Sequence, residues 1–411
     1  MARREAAAKV TGAARYTDDL VVPGAWYGKT IRSTVPHGRI RSITFDPAFD
    51  WGRVVVVTAD DIPGDNVVQL IRDDQPVLAR VGGDIRHKEE PVLLLAAADR
   101  DTLEEAAGRI RIEYESGAFP PIYDIESAPE VYSTVEITKG DVAAGESAAD
   151  IVVERSFRVG LQEQLYIEPQ GAIAYQNETN GFTVVGSLQC PYYVHRALKR
   201  ALRLTDEQAV VIQAETGGGF GGKEEYPSIV AIHAALLARK AGRPVRLIYD
   251  RHEDLAATTK RHPGEIRHRT AVKQDGTLLS QDIEIVLDGG GYCTLTPVVL
   301  SRAAIHAAGA YRCDNVRIRA RAVATNTPPN GAFRGFGAPQ SLFAAELMVE
   351  HIAERLGISS IELRRKWMLR LGDSTATGQT LTESVSADLV LDAALKAVPP
   401  IRPSAHPTVR R

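Results

Sequence analysis

The sequence contains few cysteines, and their spacing builds no known site. Among 411 residues there are three, Cys190, Cys293 and Cys313, and no Cys-x-x-Cys pair occurs. This composition argues against a disulfide framework, a structural zinc site and an iron–sulfur cluster held by this chain alone. The ten histidines also form no His-Glu-x-x-His or similar cluster.

The sequence also lacks a strong charge of either sign and any long apolar run. Its formal net charge is -3, which provides no basic stripe for nucleic acid or for an anionic membrane. No apolar stretch reaches the about 18–20 residues of a membrane helix, and no secretory signal follows the N-terminal arginine pair. We therefore expect no nucleic-acid or membrane partner, and a cytoplasmic location.

Length and hydrophobic patterning predict an α+β protein of more than one domain. Residues 1–118 alternate short strands with turns and one helix, which is typical of a small α+β domain. Ser, Gly, Ala and Pro dominate residues 119–148, so this stretch is predicted to be a linker. Residues 149–398 are predicted to form a larger mixed α+β domain, and the proline-rich residues 399–411 a disordered tail.

Several elements can be predicted individually. Residues 91–98 are a continuous apolar run, as expected for a buried strand, and Asp101 could cap the helix that follows. Asp275-Gly276 between two strand patterns predicts a hairpin. The helix predicted over residues 228–241 should end at Gly242.

The densest glycine segment is GGGFGGKE at residues 217–224, between a predicted strand and a predicted helix. Glycines at a helix N-terminus let backbone N–H groups approach an anion or a bulky cofactor. A dinucleotide fingerprint fits formally, but the next acidic strand-end residue, Asp250, is far away. A phosphate-binding loop also fits until Glu224, which stands where a Ser or Thr hydroxyl must meet magnesium.

This segment, together with AFRGFGAPQ at residues 332–340, resembles the molybdenum-binding subunit of the xanthine dehydrogenase and aldehyde oxidase family. Four further motifs support the resemblance and follow the family order along nearly the whole chain. They are TGAARYTDD at 11–19, RSTVPHGRI at 32–40, IEPQGAIA at 167–174 and KRHP at 260–263. The resemblance implies an N-terminal domain of the α/β-hammerhead type followed by a molybdopterin-binding domain.

The resemblance implies that a pterin dithiolene holds molybdenum, so that the protein provides no direct metal ligand. The segment around Phe220 and Gly221 would place a main-chain N–H against the apical oxygen of the metal, and Gln189 would approach the same oxygen. The cofactor is expected to be Mo-molybdopterin, in the cytosine dinucleotide form. The residues implied in cofactor binding are Gln189, Gly219, Phe220, Gly221, Gly222, Ala332 and Phe333.

Four residues match family positions that face the substrate. Glu224 and Arg302 match an acidic and basic pair, Arg334 matches a neighbouring orienting arginine, and Phe336 matches a phenylalanine that packs on the substrate ring. An arginine can stabilise negative charge that builds on a heteroaromatic ring. Because aldehyde-oxidising relatives usually lack the charged pair, the resemblance favours a purine-type or pyridine-type substrate.

One catalytic group of the family is missing. Its general base is a glutamate in a Gly-Glu-Pro motif, and no such motif occurs here. Either a second molybdopterin-domain chain supplies it, as in the split molybdenum subunit of nicotinate dehydrogenase, or the chain is a truncated product without catalysis. The [2Fe–2S] clusters and FAD would reside on further partner subunits. A nucleotide-binding module stays the distant alternative.

Overall fold

The computed structural model of the chain describes residues 5–68, 70–115 and 120–398. Within them fifteen strands form three sheets. The strands are β1 Trp26–Arg32, β2 Gly38–Phe45, β3 Val54–Val57, β4 Asp84–Ile85, β5 Pro91–Ala97, β6 Ile110–Glu115, β7 Val131–Lys139, β8 Ile151–Val159, β9 Gly171–Gln176, β10 Phe182–Gly186, β11 Ala209–Gln213, β12 Val245–Ile248, β13 Gly264–Val272, β14 Leu278–Asp288 and β15 Val316–Val323.

Ten α-helices accompany these strands in the described part of the chain, and the mixture confirms the predicted α+β class. They are α1 Ala6–Val10, α2 Arg100–Ala107, α3 Val142–Ser147, α4 Pro191–Leu202, α5 Pro227–Ala241, α6 Arg251–Ala257, α7 Thr296–His306, α8 Ala338–Leu356, α9 Ser360–Trp367 and α10 Ala387–Ala397.

The largest sheet has seven strands, in the order β11-β10-β9-β12-β1-β5-β3. β1 pairs in parallel with β12, with Trp26 opposite Val245, so the N-terminal strands continue the sheet of the central region. One apolar core contains Leu94 of β5, Leu198 of α4 and Leu237 of α5. The boundary predicted at residue 118 therefore does not separate two independent cores. Of the three sheets formed by the described residues, the small sheet β4-β2-β6 alone belongs entirely to the N-terminal region.

The second large sheet, in the order β7-β15-β14-β13-β8, packs against α7 and α8. Its edge strand β7 and the helix α3 both lie inside residues 119–148, so the prediction of a linker is wrong for Val131–Lys139 and Val142–Ser147. Val135 and Ile137 alternate with polar residues and face the core around Ile318. The abundance of small residues nearby concealed this period of two.

Most elements predicted singly are confirmed, with one corrected cap. β5 is buried along its whole length, β13 and β14 form the predicted hairpin, and Gly242 ends α5 in the left-handed conformation. The cap of α2 is Asp99, whose side chain accepts from the Thr102 amide, and Asp101 lies inside the helix. The predicted tail at 399–411 lies outside the described residues.

Among the described residues, no helix combines the length and the apolarity needed to cross a membrane.

Because the seven-stranded sheet and its core include strands from both predicted domains, we expect all strands of this sheet to unfold in the same transition. Leu94→Ala should lower the free energy of unfolding by about 2–5 kcal/mol, since Leu94 is fully buried. Urea titration followed by circular dichroism and by fluorescence measures both properties. Val21→Ala, at a residue 87% exposed, is the control and should change little. A loss in Leu94→Ala no larger than that in Val21→Ala would contradict the shared core.

Candidate active site

The two glycine-rich segments predicted to act together lie in contact. The amide of Arg334 donates to the carbonyl oxygen of Phe220 at 2.9 Å. A Cβ at Gly221, where φ is +101°, would lie 2.8 Å from the backbone of Ala332. Only glycine permits this approach, because any other residue would push the segments apart. The contact joins two loops more than a hundred residues apart in sequence.

A buried ion pair holds the first loop in place. The side chain of Lys223 is fully buried, and its Nζ donates to the carbonyl oxygen of Glu168 at 2.6 Å and to Ser187 Oγ at 2.8 Å. Glu168 Oε2 accepts from the same Nζ and, at 2.6 Å, from the amide of Gly217. Burial lowers the pKa of the Lys223 amine, whereas Glu168 acts to raise it. This lysine points into the protein, which removes the phosphate-binding interpretation of the loop.

Side chains from the segment before β9 and from α6 support the loop. Gln170 Nε2 donates to the carbonyl oxygen of Gly222 at 2.7 Å, and the backbone N–H of Gln170 donates to Asp254 Oδ2 at 2.6 Å. The Tyr166 hydroxyl donates to Asp254 Oδ1. Tyr166 also restricts Gly222, since a Cβ there would lie 2.6 Å from the tyrosine ring. The motif around residues 167–174 therefore builds the floor of the loop.

Beside the contact between the loops lies a cavity of about 540 Å³. It contains all four residues predicted to face the substrate. Two of the lining residues, Val298 and Arg302, belong to α7. The sequence predicts no helix there and indicates Arg302 only by its distance from Arg334. The lining residues are Gln189, Phe220, Gly221, Glu224, Val298, Arg302, Arg334, Gly335 and Phe336.

The charged groups of the cavity are not used by the protein itself. The side chains of Glu224, Arg302 and Arg334 make no hydrogen bond or ion pair with any other described residue. Lys223 pairs with Glu168 and not with Glu224. Burial raises the pKa of the Glu224 carboxyl above its ordinary value. One carboxyl and two guanidinium groups therefore face the cavity without partners inside the protein, and they are able to bind a polar ligand.

The side chain of Gln189 bonds the backbone of the glycine-rich loop, and this decides which main-chain N–H of the Phe220–Gly221 segment is free. Its Oε1 accepts from the amides of Gly221 at 3.0 Å and Lys223 at 3.3 Å, so the Gly221 N–H is already bonded. The amides of Phe220 and Phe333 have no acceptor among the described residues. Of the predicted segment, it is therefore the Phe220 N–H that stays available to a ligand. The Gln189 amide group also has no hydrogen-bond acceptor in the described structure.

The remaining residues predicted to bind a cofactor lie behind the cavity wall. Ala332 has both backbone groups occupied: its N–H donates to Glu225 Oε1 at 3.0 Å and its carbonyl oxygen accepts from Gln164 Nε2 at 2.7 Å. Arg261 lies 3.9 Å from the centroid of the Phe333 ring and donates to the Arg334 carbonyl oxygen. Gly219 and Gly222 are buried and do not line the cavity. Gln164 and Glu225 carry no recognisable signal in the sequence, and the motif KRHP indicates only the region of Arg261.

The backbone of the site departs from the preferred regions at two aromatic residues. Phe220 and Phe336 have φ of +52° and +53°, the left-handed region that ordinarily favours glycine. Such residues cost about 1–3 kcal/mol each and persist where the surrounding contacts hold them.

Within the described residues there is no group of three His, Cys, Asp or Glu side chains that could hold a metal ion.

Two family models match the chain. The model described as molybdopterin cofactor-binding domain matches residues 124–368. The model described as aldehyde oxidase and xanthine dehydrogenase, a/b hammerhead domain, matches residues 11–117.

Two curated relatives differ in length. The chain is 34% identical over 405 residues to a probable xanthine dehydrogenase subunit of Bacillus subtilis, covering 96% of this chain and 54% of the relative. It is 35% identical over 389 residues to the nicotinate dehydrogenase large molybdopterin subunit of Eubacterium barkeri, covering 92% and 90%. The chain thus spans about half of the first relative and nearly all of the second.

Solved structures share the fold. The aldehyde oxidoreductase of Desulfovibrio gigas superposes with a TM-score of 0.88 at 29% identity, covering 96% of this chain and 46% of that one. Quinoline 2-oxidoreductase of Pseudomonas putida 86 superposes with a TM-score of 0.83 at 28% identity, covering 96% and 54%.

Removing the buried ammonium should destabilise the protein strongly. Lys223→Met leaves Glu168 without its counter-charge, and we expect the free energy of unfolding to fall by about 3–5 kcal/mol. Lys240→Met is a matched control, because Lys240 pairs with Asp61 at the surface and should contribute no more than about 1 kcal/mol. Urea titration measures both losses. Equal losses in the two variants would show that the Lys223 pair does not anchor the loop.

The thiol of Cys190 reports on the charge of the cavity. Burial and the charges of Glu224 and Glu225 raise its pKa to about 11. Glu224→Gln removes one negative charge, so the thiol pKa should fall and alkylation at mildly alkaline pH should become faster. Iodoacetamide labelling with peptide mass spectrometry resolves this site, since Cys293 and Cys313 are buried. The exposed-site variant Glu178→Gln should label like the wild type. No difference between the variants would place Glu224 away from Cys190.

Proposed function

Because the chain belongs to the aldehyde oxidase and xanthine dehydrogenase family, we propose that it forms the cofactor- and substrate-binding part of a molybdenum hydroxylase. The proposed substrate is an N-heteroaromatic ring of purine or pyridine type, hydroxylated with oxygen from water. The observation that carries the proposal is the cavity in which Glu224, Arg302 and Arg334 stand without internal partners beside Phe336.

Each of these groups suits one property of such a substrate. The Glu224 carboxyl can accept a ring N–H, and its raised pKa also lets it share a proton with a ring nitrogen. Arg302 and Arg334 can stabilise the negative charge that develops on the ring during attack. Phe336 offers an aromatic face for stacking. A cavity of about 540 Å³ has room for a bicyclic ring and part of a cofactor.

The residues present fit a molybdopterin cofactor that carries its own metal ligands. The free N–H group of Phe220 and the free side-chain amide of Gln189, which both line the cavity, are donors for an anionic or oxo group. We propose the cytosine dinucleotide form. When bound, the cofactor supplies the two-electron oxidation, while this chain orients the substrate and donates hydrogen bonds.

We further propose that the active enzyme is a heteromer. The overall reaction, RH + H₂O to ROH + 2 H⁺ + 2 e⁻, requires a base and an electron path. A second molybdopterin-domain chain would supply the Gly-Glu-Pro glutamate, and [2Fe–2S] and FAD subunits would carry the electrons. Leu165 and Ile167 are 62% and 90% exposed on either side of the floor residue Tyr166, and we propose that the second chain covers them.

The decisive experiment is co-expression with a chain that contains the Gly-Glu-Pro half. The complex should contain molybdenum and hydroxylate a purine or a pyridine carboxylate. Glu224→Gln and Arg302→Ala should each lower kcat/KM about 10- to 100-fold, as expected for the loss of a hydrogen bond to a charged group. Glu178→Gln, remote from the cavity, should leave kcat/KM unchanged.

Two results would contradict this proposal. A complex without molybdenum, in which Glu224→Gln changes no property, would show that the chain has no catalytic role. Oxidation of aldehydes with no turnover of heteroaromatic rings would assign it to the aldehyde-oxidising members instead.

A further inference from the structure

We infer that Glu225, which follows the substrate-facing Glu224, is a positioning residue that fixes the loop carrying Arg334 and Phe336. The inference rests on the proposed function for its kinetic consequences, but its structural part stands on contacts alone. Glu225 does not line the large cavity. Its carboxyl faces the opposite side, where it borders a small cavity together with Thr259 and Ser228.

Glu225 and Gln164 both bond the backbone of one residue of the second loop, Ala332. Glu225 Oε1 accepts from the Ala332 amide at 3.0 Å, and Gln164 bonds the carbonyl oxygen of the same residue. A Cβ at Gly331 would lie 1.7 Å from that Oε1. The carboxyl therefore packs directly against the loop backbone, at a point where only glycine leaves room for it.

The carboxyl acts here as a hydrogen-bond acceptor and not as one half of an ion pair. It makes no salt bridge with any described residue, and its other oxygen, Oε2, is buried without a partner. Burial raises the pKa of Glu225 to about 7, and the like charge of Glu224 adds to this rise. Glutamine, which keeps the acceptor oxygen and the size, should therefore replace it with little loss, whereas alanine should not.

Releasing Ala332 should loosen the wall of the substrate cavity from behind. Ala332 lies between the Gly221 contact and Arg334, whose amide bonds Phe220. Without the acceptor at Glu225, the loop that carries Ala332 would no longer be held in a fixed position against the GGGFGG segment. The side chains of Arg334 and Phe336 would then sample positions away from the substrate, although Glu225 touches neither substrate nor cofactor.

Hydrogen–deuterium exchange of the full chain tests the positioning without any cofactor. In Glu225→Ala, exchange in the peptide covering residues 331–338 should rise about 10-fold, the effect of leaving the buried Ala332 N–H without its acceptor. Glu225→Gln should exchange like the wild type. Ser228→Ala is the matched control, because Ser228 borders the same small cavity and its side chain bonds no described residue. If Glu225→Ala does not fold, Glu225→Asp, which withdraws the acceptor by one methylene, should show the same rise.

Unchanged exchange in folded Glu225→Ala or Glu225→Asp overturns the inference, and so does a rise in Glu225→Gln equal to that in Glu225→Ala. In the molybdenum-containing complex, Glu225→Ala should raise KM and lower kcat with unchanged molybdenum content, and Glu225→Gln should restore both. A wild-type complex without molybdenum or hydroxylation would overturn the proposed function, while the exchange experiment would still decide the role of Glu225.

Discussion

Lys223 carries its charge where no water reaches it, and its ammonium group is bonded by the carbonyl and carboxylate of Glu168 and by the hydroxyl of Ser187. A buried charge without such partners would be strongly unfavourable, so the loop can adopt few alternatives to this geometry. Because Glu168 also accepts from Gly217, the pair fixes both ends of the GGGFGGK segment. Glu224 and Glu225 come directly after this loop in the chain, and Gln189 is bonded to the loop at Gly221 and Lys223. The positions of all three residues therefore depend on the position of the loop.

The site is built so that the structural charges and the functional charges are separate. Lys223 and Glu168 satisfy each other inside the protein, and Asp254 is bonded by Tyr166 and Gln170. Glu224, Arg302 and Arg334 have no such partners and face the cavity. Groups left unpaired at an open cavity add little to stability, and this is consistent with a role in binding. The glycines serve the same division, because they let backbone segments meet without using side chains.

The predictions from sequence succeeded where local pattern and local structure coincide. The hairpin at Asp275-Gly276, the buried strand β5 and the end of α5 at Gly242 depend on neighbouring residues, and all are confirmed. The linker prediction failed because β7 is stabilised by pairing with the distant strand β15, as in the pair Val323 and Val131, and not by its own composition. The sharing of one sheet by β1 and β12 was equally invisible, since register between distant strands leaves no local trace.

The amino-acid sequence by itself determined the family, the order of the motifs and the residue types that face the cavity. It could do so because glycine spacing and charged positions are properties of the chain read in one dimension. Only the tertiary structure decided which backbone donors stay free, that Gly221 is occupied by Gln189, and that Glu225 and Gln164 hold Ala332 from two sides. Each of these depends on hydrogen bonds between segments brought together by folding, for which the sequence carries no spacing rule.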